Sequence, residues 1–337
     1  MKILMISPKT TGIGGIAQHV SSLVRELGKL GHEVSIVSSE RVPTLRVRGL
    51  ANATFAVSAS FKTFLREFDV IHAHNVPSAI PMRLARGRRV LTVHGVFSEA
   101  LSLSRGGLIS RLGTILENRA IRWADVVTAV SKSAVDYYRS KGVPAVHIPN
   151  GIDLKIVPKE GKRVYDPQVA YVGRLSKEKG VDLLIRAFER LDDGHLLIIG
   201  SGPEERELKR LAEGCDRIHF LGFLPRDQAL LYVKGSDIFV LPSRSEGLST
   251  ALLEAMACGA AVIATSVGGS VELVEHGVSG LLVPPEDHEA LADALRLLLS
   301  DASLRRRLAA EAARRVRAEF SMEVIAQRYL EVYSSGE

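Results

Sequence analysis

Residues 237–259 read Asp237-Ile238-Phe239-Val240-Leu241-Pro242-Ser243-Arg244-Ser245-Glu246-Gly247-Leu248-Ser249-Thr250-Ala251-Leu252-Leu253-Glu254-Ala255-Met256-Ala257-Cys258-Gly259. An apolar strand, a Pro-Ser loop and a helix follow in succession, the unit from which parallel α/β sheets are built. Ser249 or Thr250 is placed to cap the helix, whose first turn offers free N–H groups and a positive dipole end. Such an end seats a phosphate or diphosphate. Glu246 precedes the helix and Glu254 is expected about two turns into it. Eight helical steps rise roughly 12 Å, beyond the roughly 5–9.5 Å of carboxylates that share one glycosidic bond. The two acids therefore suit the two ends of a long ligand. Either one alone also fits a capped helix with one exposed and one half-buried acid.

Outward from this stretch, strand and helix patterns alternate along the whole chain. Apolar strands are expected at Ile3 to Ile6, Val34 to Val37, Val70 to Ala73, Val90 to Val93 and Val126 to Val130. After the turn cluster Pro149-Asn150-Gly151-Ile152-Asp153, a second series runs through Val169 to Val172, Leu196 to Ile199, Ile218 to Phe220, Ile238 to Leu241 and Val262 to Ala264. Alternation of this kind predicts an α/β fold of two doubly wound, Rossmann-like domains with ligands at the carboxyl ends of the strands. The expected division is 1–150, 151–320 and a terminal helical segment 321–337.

At 337 residues each domain can bury its own core, and 46% hydrophobic with 24% charged residues sets the chain apart from disordered and membrane-spanning classes. The first strand begins at Lys2, so no signal peptide is read. Two cysteines, Cys215 and Cys258, give no disulfide framework and point to a reducing, cytoplasmic setting. Charge is uneven. Through Lys155 there are 21 Lys and Arg against 10 Asp and Glu, which leaves 23 against 28 of the totals of 44 and 38 for the rest. The basic half either faces something anionic, such as lipid headgroups or a phosphorylated acceptor, or is a solvated surface. No zinc-finger spacing or aromatic RNA-binding segment accompanies it, which argues against nucleic acid.

Four further loops carry candidate chemistry. Gly173-Arg174-Leu175-Ser176-Lys177-Glu178-Lys179-Gly180 ends a strand with cations that can grip phosphate, Arg174 bidentately and Lys179, or Lys177, as a point charge. Gly200-Ser201-Gly202-Pro203 is a tight strand-to-helix loop. Thr92-Val93-His94-Gly95 ends a strand of the first domain. His72 and His74 lie two apart on one strand face and read as cleft lining or core, not as metal ligands. Gly12-Ile13-Gly14-Gly15-Ile16-Ala17, with Glu40 near the end of the second strand, literally fits a dinucleotide fingerprint. No Asp-x-Asp occurs in the chain.

The Glu-x7-Glu spacing of Glu246 and Glu254, followed by Ala-Met-Ala-Cys-Gly, resembles glycosyltransferase family 4, and Gly15-Ile16-Ala17-x-His19-Val20 is similar to the same family's first glycine loop. The resemblance covers nearly all of the chain. It implies the GT-B fold, with two domains facing a central cleft, and retaining transfer of a hexosyl group from a UDP- or GDP-linked sugar without a metal. It further implies roles one by one. Glu246 would bond the donor sugar hydroxyls and Glu254 the ribose hydroxyls. Arg174 and Lys179 would hold the diphosphate together with the backbone of Gly247, Leu248, Ser249 and Thr250. Gly173, Gly200 and Gly202 would line the nucleotide pocket, with Phe223 and Leu224 near the base. Gly14 and Gly15 would approach the donor phosphate and the acceptor, and His94 would lie beside the reacting sugar. The terminal helix would cross back onto the first domain. Closure about Asn150 to Asp153 would complete the site, and the segment Phe97 to Gly107 would help build the acceptor pocket. A lipid-linked or phosphorylated acceptor would bring the basic domain to the inner face of the membrane.

Three rivals stand beside this reading. A nicotinamide-dependent oxidoreductase would use the Gly12 loop and Glu40, leaving Arg174, Lys179 and both Glu residues unexplained. A non-catalytic nucleotide-sugar-binding or membrane-surface scaffold would share the fold, as would a nucleotide-sugar epimerase.

Overall fold

Two six-stranded sheets, parallel in every pairing, form the framework of the computed structural model, which describes residues 1–10, 15–45, 50–95 and 107–335, with the side chains of 107–112 excepted. The chain divides into one unit of Met1–Gly151 with Met322–Glu337 and a second of Ile152–Ser321.

In the first unit the strands are β1 (Lys2–Ser7), β2 (Glu33–Ser38), β3 (Glu67–His74), β4 (Arg86–Val93), β5 (Val126–Ala129) and β6 (Ala145–His147), in the order β2-β1-β3-β4-β5-β6. Its helices are α1 (Gly15–Lys29), α2 (Ala51–Thr63), α3 (Ala79–Leu84), α4 (Gly107–Trp123), α5 (Lys132–Ser140) and, from the end of the chain, α13 (Met322–Ser334). Strand alternation sends Ile3 and Met5 to one face and Leu4 and Ile6 to the other. Ile3, Met5, Val70 and Val90 pack against Leu23 and Leu27 of α1 and Ile325, Ala326 and Tyr329 of α13. Leu4, Ile6, Ile71 and Leu91 meet Phe55 of α2, Met82 of α3 and Tyr138 of α5. Complete burial of such a side chain stabilises by about 1.5–3 kcal/mol, so α13 is an integral part of this unit's core.

The second unit holds β7 (Gln168–Val172), β8 (His195–Ile199), β9 (Ile218–Gly222), β10 (Ile238–Leu241), β11 (Ala261–Thr265) and β12 (Leu281–Val283), in the order β12-β11-β10-β7-β8-β9. Its helices are α6 (Val181–Glu189), α7 (Glu205–Leu211), α8 (Arg226–Lys234), α9 (Thr250–Cys258), α10 (Ser270–Leu273), α11 (His288–Ser300) and α12 (Ala302–Arg315). The expected doubly wound α/β architecture holds in both units. Each sheet gains one strand over the expectation, β6 and β12, both edge strands of three residues. A run that short shows no alternation to read.

The strand order reverses between β1 and β3 in the first sheet and between β7 and β10 in the second. β7 and β10 pair directly, Val169 with Ile238 and Ala170 with Phe239. Beyond their carboxyl ends the two chains must diverge to opposite faces, which leaves a crevice for a ligand.

Candidate active site

The loops after β7 and β10 bring one predicted cation and one predicted carboxylate of the second unit together, Lys179 and Glu246. After β10, Pro242 to Ser245 lead to Glu246, and Arg244 fixes this loop to the first turn of α6 by paired bonds to Asp182 at 2.7 and 2.8 Å. Burial pushes the Asp182 carboxyl up, but the bonds and charge of Arg244 outweigh it and hold the group below its usual range. The Arg244 N–H also donates to the Glu178 carbonyl at 2.8 Å. With the loop so placed, Lys179 Nζ lies 2.7 Å from Glu246 Oε2, and Ser243 Oγ donates to the same oxygen at 3.2 Å. Glu246 is half-buried, with a side chain only 10% exposed, so its charge is compensated and not simply solvated. Arg174, at the end of β7, is exposed, and its guanidinium makes no ion pair among the described residues. The Tyr171 hydroxyl donates to its carbonyl at 2.9 Å.

Helix α9 begins at Thr250, with Ser249 as its cap accepting from the Leu252 N–H at 3.3 Å, and ends at Gly259 in the left-handed region. Glu254 is thus the fifth helical residue, little more than one turn in, which corrects the expected two turns. Neither acid is exposed, as the ordinary capped-helix account would have it. Glu254 is buried and pairs with Arg226 at 2.6–2.7 Å. Burial raises its pKa, and the Arg226 charge opposes the rise. Beneath the loop, Gly269 N–H donates to the Gly247 carbonyl at 2.6 Å. A Cβ on Gly268 would stand 1.7 Å from the Glu246 carbonyl oxygen.

Gly173, Gly200 and Gly202 are joined through backbone. Gly173 N–H donates to Ile199 O, Leu175 N–H to Ser201 O and Glu204 N–H to Leu175 O, each at 3.0 Å. Gly200 has φ of 143°, and a Cβ there would meet the Gly173 carbonyl oxygen at 1.8 Å. Gly200 N–H donates to the Gly222 carbonyl at 2.8 Å. The next residues are Phe223, 51% exposed, and half-buried Leu224.

In the first unit, His94 follows β4, half-buried, its N–H donating to Asn75 Oδ1 at 3.1 Å and its Nε2 lying 3.0 Å from His74 Nδ1. His72, His74 and His19 are buried around it. His72 bonds Tyr333 through Nδ1 at 2.7 Å and Thr92 through Nε2 at 2.6 Å. All four imidazoles are pushed toward the neutral form by burial, and His72, His74 and His94 also by their neighbours' charge. Asn150 lies within bonding reach of His94 and opposes the lowering, and His19 Nε2 is buried without a hydrogen-bond partner among the described residues. Gly15 opens α1, while Gly12, Ile13 and Gly14 lie outside the described residues, as does the Phe97–Arg105 stretch of the acceptor expectation. Glu40 accepts from the Thr10 N–H at 3.3 Å.

Arg226, Arg244, Ser243 and the Gly268-Gly269 pair escaped the sequence reading. The two glycines stand three and four residues past the end of β11, a visible signal of close backbone approach. Arg226 and Arg244 look like any surface cation until the fold supplies Glu254 and Asp182.

The family description Glycosyl transferases group 1 matches residues 153–315, and Glycosyltransferase Family 4 matches 13–156. The chain is 30% identical to the alpha-maltose-1-phosphate synthase of Mycolicibacterium smegmatis, over 95% of each sequence. It is 28% identical to the phosphatidyl-myo-inositol mannosyltransferase of the same organism, over 99% of this chain and 94% of the relative. Among solved structures, HepE of Anabaena in complex with UDP-glucose superposes with a TM-score of 0.76 at 22% identity, covering 99% of this chain and all of the neighbour. These matches overturn the oxidoreductase reading of the Gly12 loop: a short Gly-x-Gly pattern is shared by many phosphate-binding sequences and does not by itself mark a dinucleotide site. The scaffold and epimerase readings fall with it. Carrying the GT-B fold and matched by both halves of the family, the chain belongs to the group 1, family 4 glycosyltransferases.

Proposed function

We propose that this enzyme transfers a hexosyl group, with retention, from a nucleoside diphosphate sugar to an acceptor hydroxyl, with the second unit holding the donor. The observation that carries this reading is the Lys179–Glu246 pair at the β7/β10 reversal, with exposed Arg174 in the same loop as Lys179 and the capped start of α9 following Glu246. Arg174, Lys179 and the N–H groups of Gly247 to Thr250 provide the positive charge a departing diphosphate needs, independently of a bound cation. Glu246 takes the sugar hydroxyls, Glu254 the ribose hydroxyls, and Phe223 with Leu224 the base. The loop of Gly173, Gly200 and Gly202 lets backbone approach the nucleotide.

In the reaction the bond from the anomeric carbon to the diphosphate oxygen breaks, and a bond to the acceptor oxygen forms on the same face. The acceptor proton passes to the leaving phosphate oxygen, so no side-chain nucleophile is required. His94 contacts the reacting sugar as a neutral imidazole. The first unit, with Gly14 and Gly15, holds the acceptor. Uridine is the base to try first, because the structural neighbour HepE was solved with UDP-glucose. A lipid-linked or phosphorylated acceptor suits the basic first unit, and one relative is named for transfer to phosphatidyl-myo-inositol.

A thermal-shift screen against UDP, GDP, ADP and their sugar conjugates, with and without EDTA, tests this. One nucleotide series should stabilise the protein equally in EDTA, and Glu254→Ala should abolish the shift. A flat response to all of them defeats the reading.

A further inference from the structure

β3 and β4 run parallel and end in register, Ala73 opposite Leu91 and His74 opposite Thr92. In a parallel ladder a residue donates its N–H to one residue of the partner strand and accepts, at its carbonyl, from the residue two further along. Asn75 begins that exchange, its N–H donating to the Thr92 carbonyl at 2.8 Å. The regular ladder would then close with the His94 N–H on the Asn75 carbonyl. Instead Asn75 adopts φ 64° and ψ 161°, and its carbonyl turns aside to accept from the Ser78 N–H at 3.0 Å as the chain leaves the sheet. The His94 N–H donates to the Asn75 side chain, reaching Oδ1 at 3.1 Å.

That backbone conformation is open to glycine, whereas other residues hold it only under strain. Both bonds of the turn, to Thr92 and from Ser78, are main-chain bonds that a glycine would keep. For folding alone, glycine is therefore the better residue at this position. What the asparagine adds is one acceptor, and that acceptor serves the half-buried His94. Without it the His94 N–H would lose the partner that the ladder normally supplies. The next residue, Gly95, is exposed and has no side chain to restrain the strand end.

We infer that Asn75 is a positioning residue for His94: its side-chain amide replaces a strand carbonyl, carries the β3–β4 ladder one bond past the sheet, and so sets where the imidazole meets the reacting sugar. The ring is held separately, by His74 Nδ1 at 3.0 Å from His94 Nε2. Backbone and ring of His94 are thus fixed by consecutive residues, Asn75 and His74. The inference rests on the transfer reading, in which His94 contacts the sugar. Misplacing such a group by about 1 Å costs up to roughly 100-fold in rate.

Two measurements on the full chain test it, the first without any substrate. With nitrogen-labelled histidine the protein gives ten histidine amide signals. The His94 amide should exchange with solvent about tenfold faster in Asn75→Gly, the order of one hydrogen bond, while His72 and His74 keep the parent's rates. Asn75→Asp, which retains an acceptor oxygen, should restore slow exchange. The second measurement is hydrolysis of UDP-, GDP- or ADP-glucose, whichever stabilises the parent, followed as release of the nucleoside diphosphate. In Asn75→Gly, kcat should fall about tenfold with KM changed by less than about twofold, and Asn75→Asp should recover most of the loss. Because glycine relieves the strain, the melting temperature of Asn75→Gly should lie within about 3 °C of the parent's or above it, so the lost turnover is not lost folding. A His94 amide indifferent to Asn75→Gly, or a kcat equal to the parent's, overturns this inference and leaves the transfer reading standing. A parent that neither hydrolyses nor is stabilised by any of the three nucleotides defeats the transfer reading, and this inference with it.

Discussion

Lys179 and Glu246 hold each other at 2.7 Å, although one is the candidate ligand of the diphosphate and the other of the sugar. In the proposed site the cation is already held by the carboxylate before a diphosphate arrives. Removing either partner leaves the other half-buried and uncompensated. Lys179→Ala and Glu246→Gln should each lower kcat/KM for the sugar nucleotide by about 100-fold or more. The double variant should fall well short of the product of the two, because the pair acts as a unit. Additive losses in steady-state assays would show that the two side chains work separately.

Arg226 bonds the buried Glu254 at 2.6–2.7 Å and opposes the rise that burial imposes on its pKa. Arg226→Leu should destabilise the fold by about 1–3 kcal/mol, below the roughly 3–5 kcal/mol of a fully buried broken pair because Arg226 is itself partly exposed. It should also leave Glu254 protonated at higher pH than in the parent, since only burial then acts on it. Nucleotide-induced thermal shifts, followed as pH falls toward the carboxylate range, should fade earlier in the variant. Identical pH profiles would remove Arg226 from the site.

Gly200 tests the joined loops. A Cβ there would press on the Gly173 carbonyl at a φ of 143°, a conformation that L residues rarely adopt. Gly200→Ala should cost about 1–3 kcal/mol of stability and weaken nucleotide binding together with it, because Gly173 leads directly into Arg174. A melting temperature equal to that of the parent would show that the turn relaxes freely.

The imidazole group sets an acid limit. His19 is lowered to about 4 and His72 to about 3, first by burial, with His74 and His94 also well below 6.5. Below the ordinary value of 6.5 the unfolded chain binds protons that the native core refuses. Stability is therefore complete above pH 6.5 and declines as pH falls from there toward the native values. Each site contributes a slope of about 1.4 kcal/mol per pH unit within its window. Urea midpoints should fall just below pH 6.5, above the carboxylate range. His72→Asn should flatten that slope, and a flat parent curve would contradict the burial.

For His94, Ala should reduce kcat more than it raises KM, because the residue is assigned to the reacting sugar. His74→Ala should do so to a smaller degree, acting through the 3.0 Å contact that orients the His94 ring. Recovery with His74→Gln would support an orienting bond over simple packing.

The interior strands were legible because runs of four or five mostly apolar residues bounded by turn residues have few other uses, whereas three-residue β6 and β12 are too short to show a pattern. The loops with Arg174, Lys179, Glu246 and Glu254 were legible because each directly follows such a strand. Their partners were not. Nothing local distinguishes Arg226, 28 residues before Glu254, or Arg244, 62 residues after Asp182, from a solvated cation. What sequence alone determined is the succession of strands and helices, the reversal of winding and the residues standing at strand ends, because these follow from local periodicity and backbone chemistry. Only the tertiary structure decided which charges meet, that α13 completes the first core, and that four imidazoles are kept neutral. Those properties depend on desolvation and on contacts between residues far apart in the chain, and neither is encoded within any single segment.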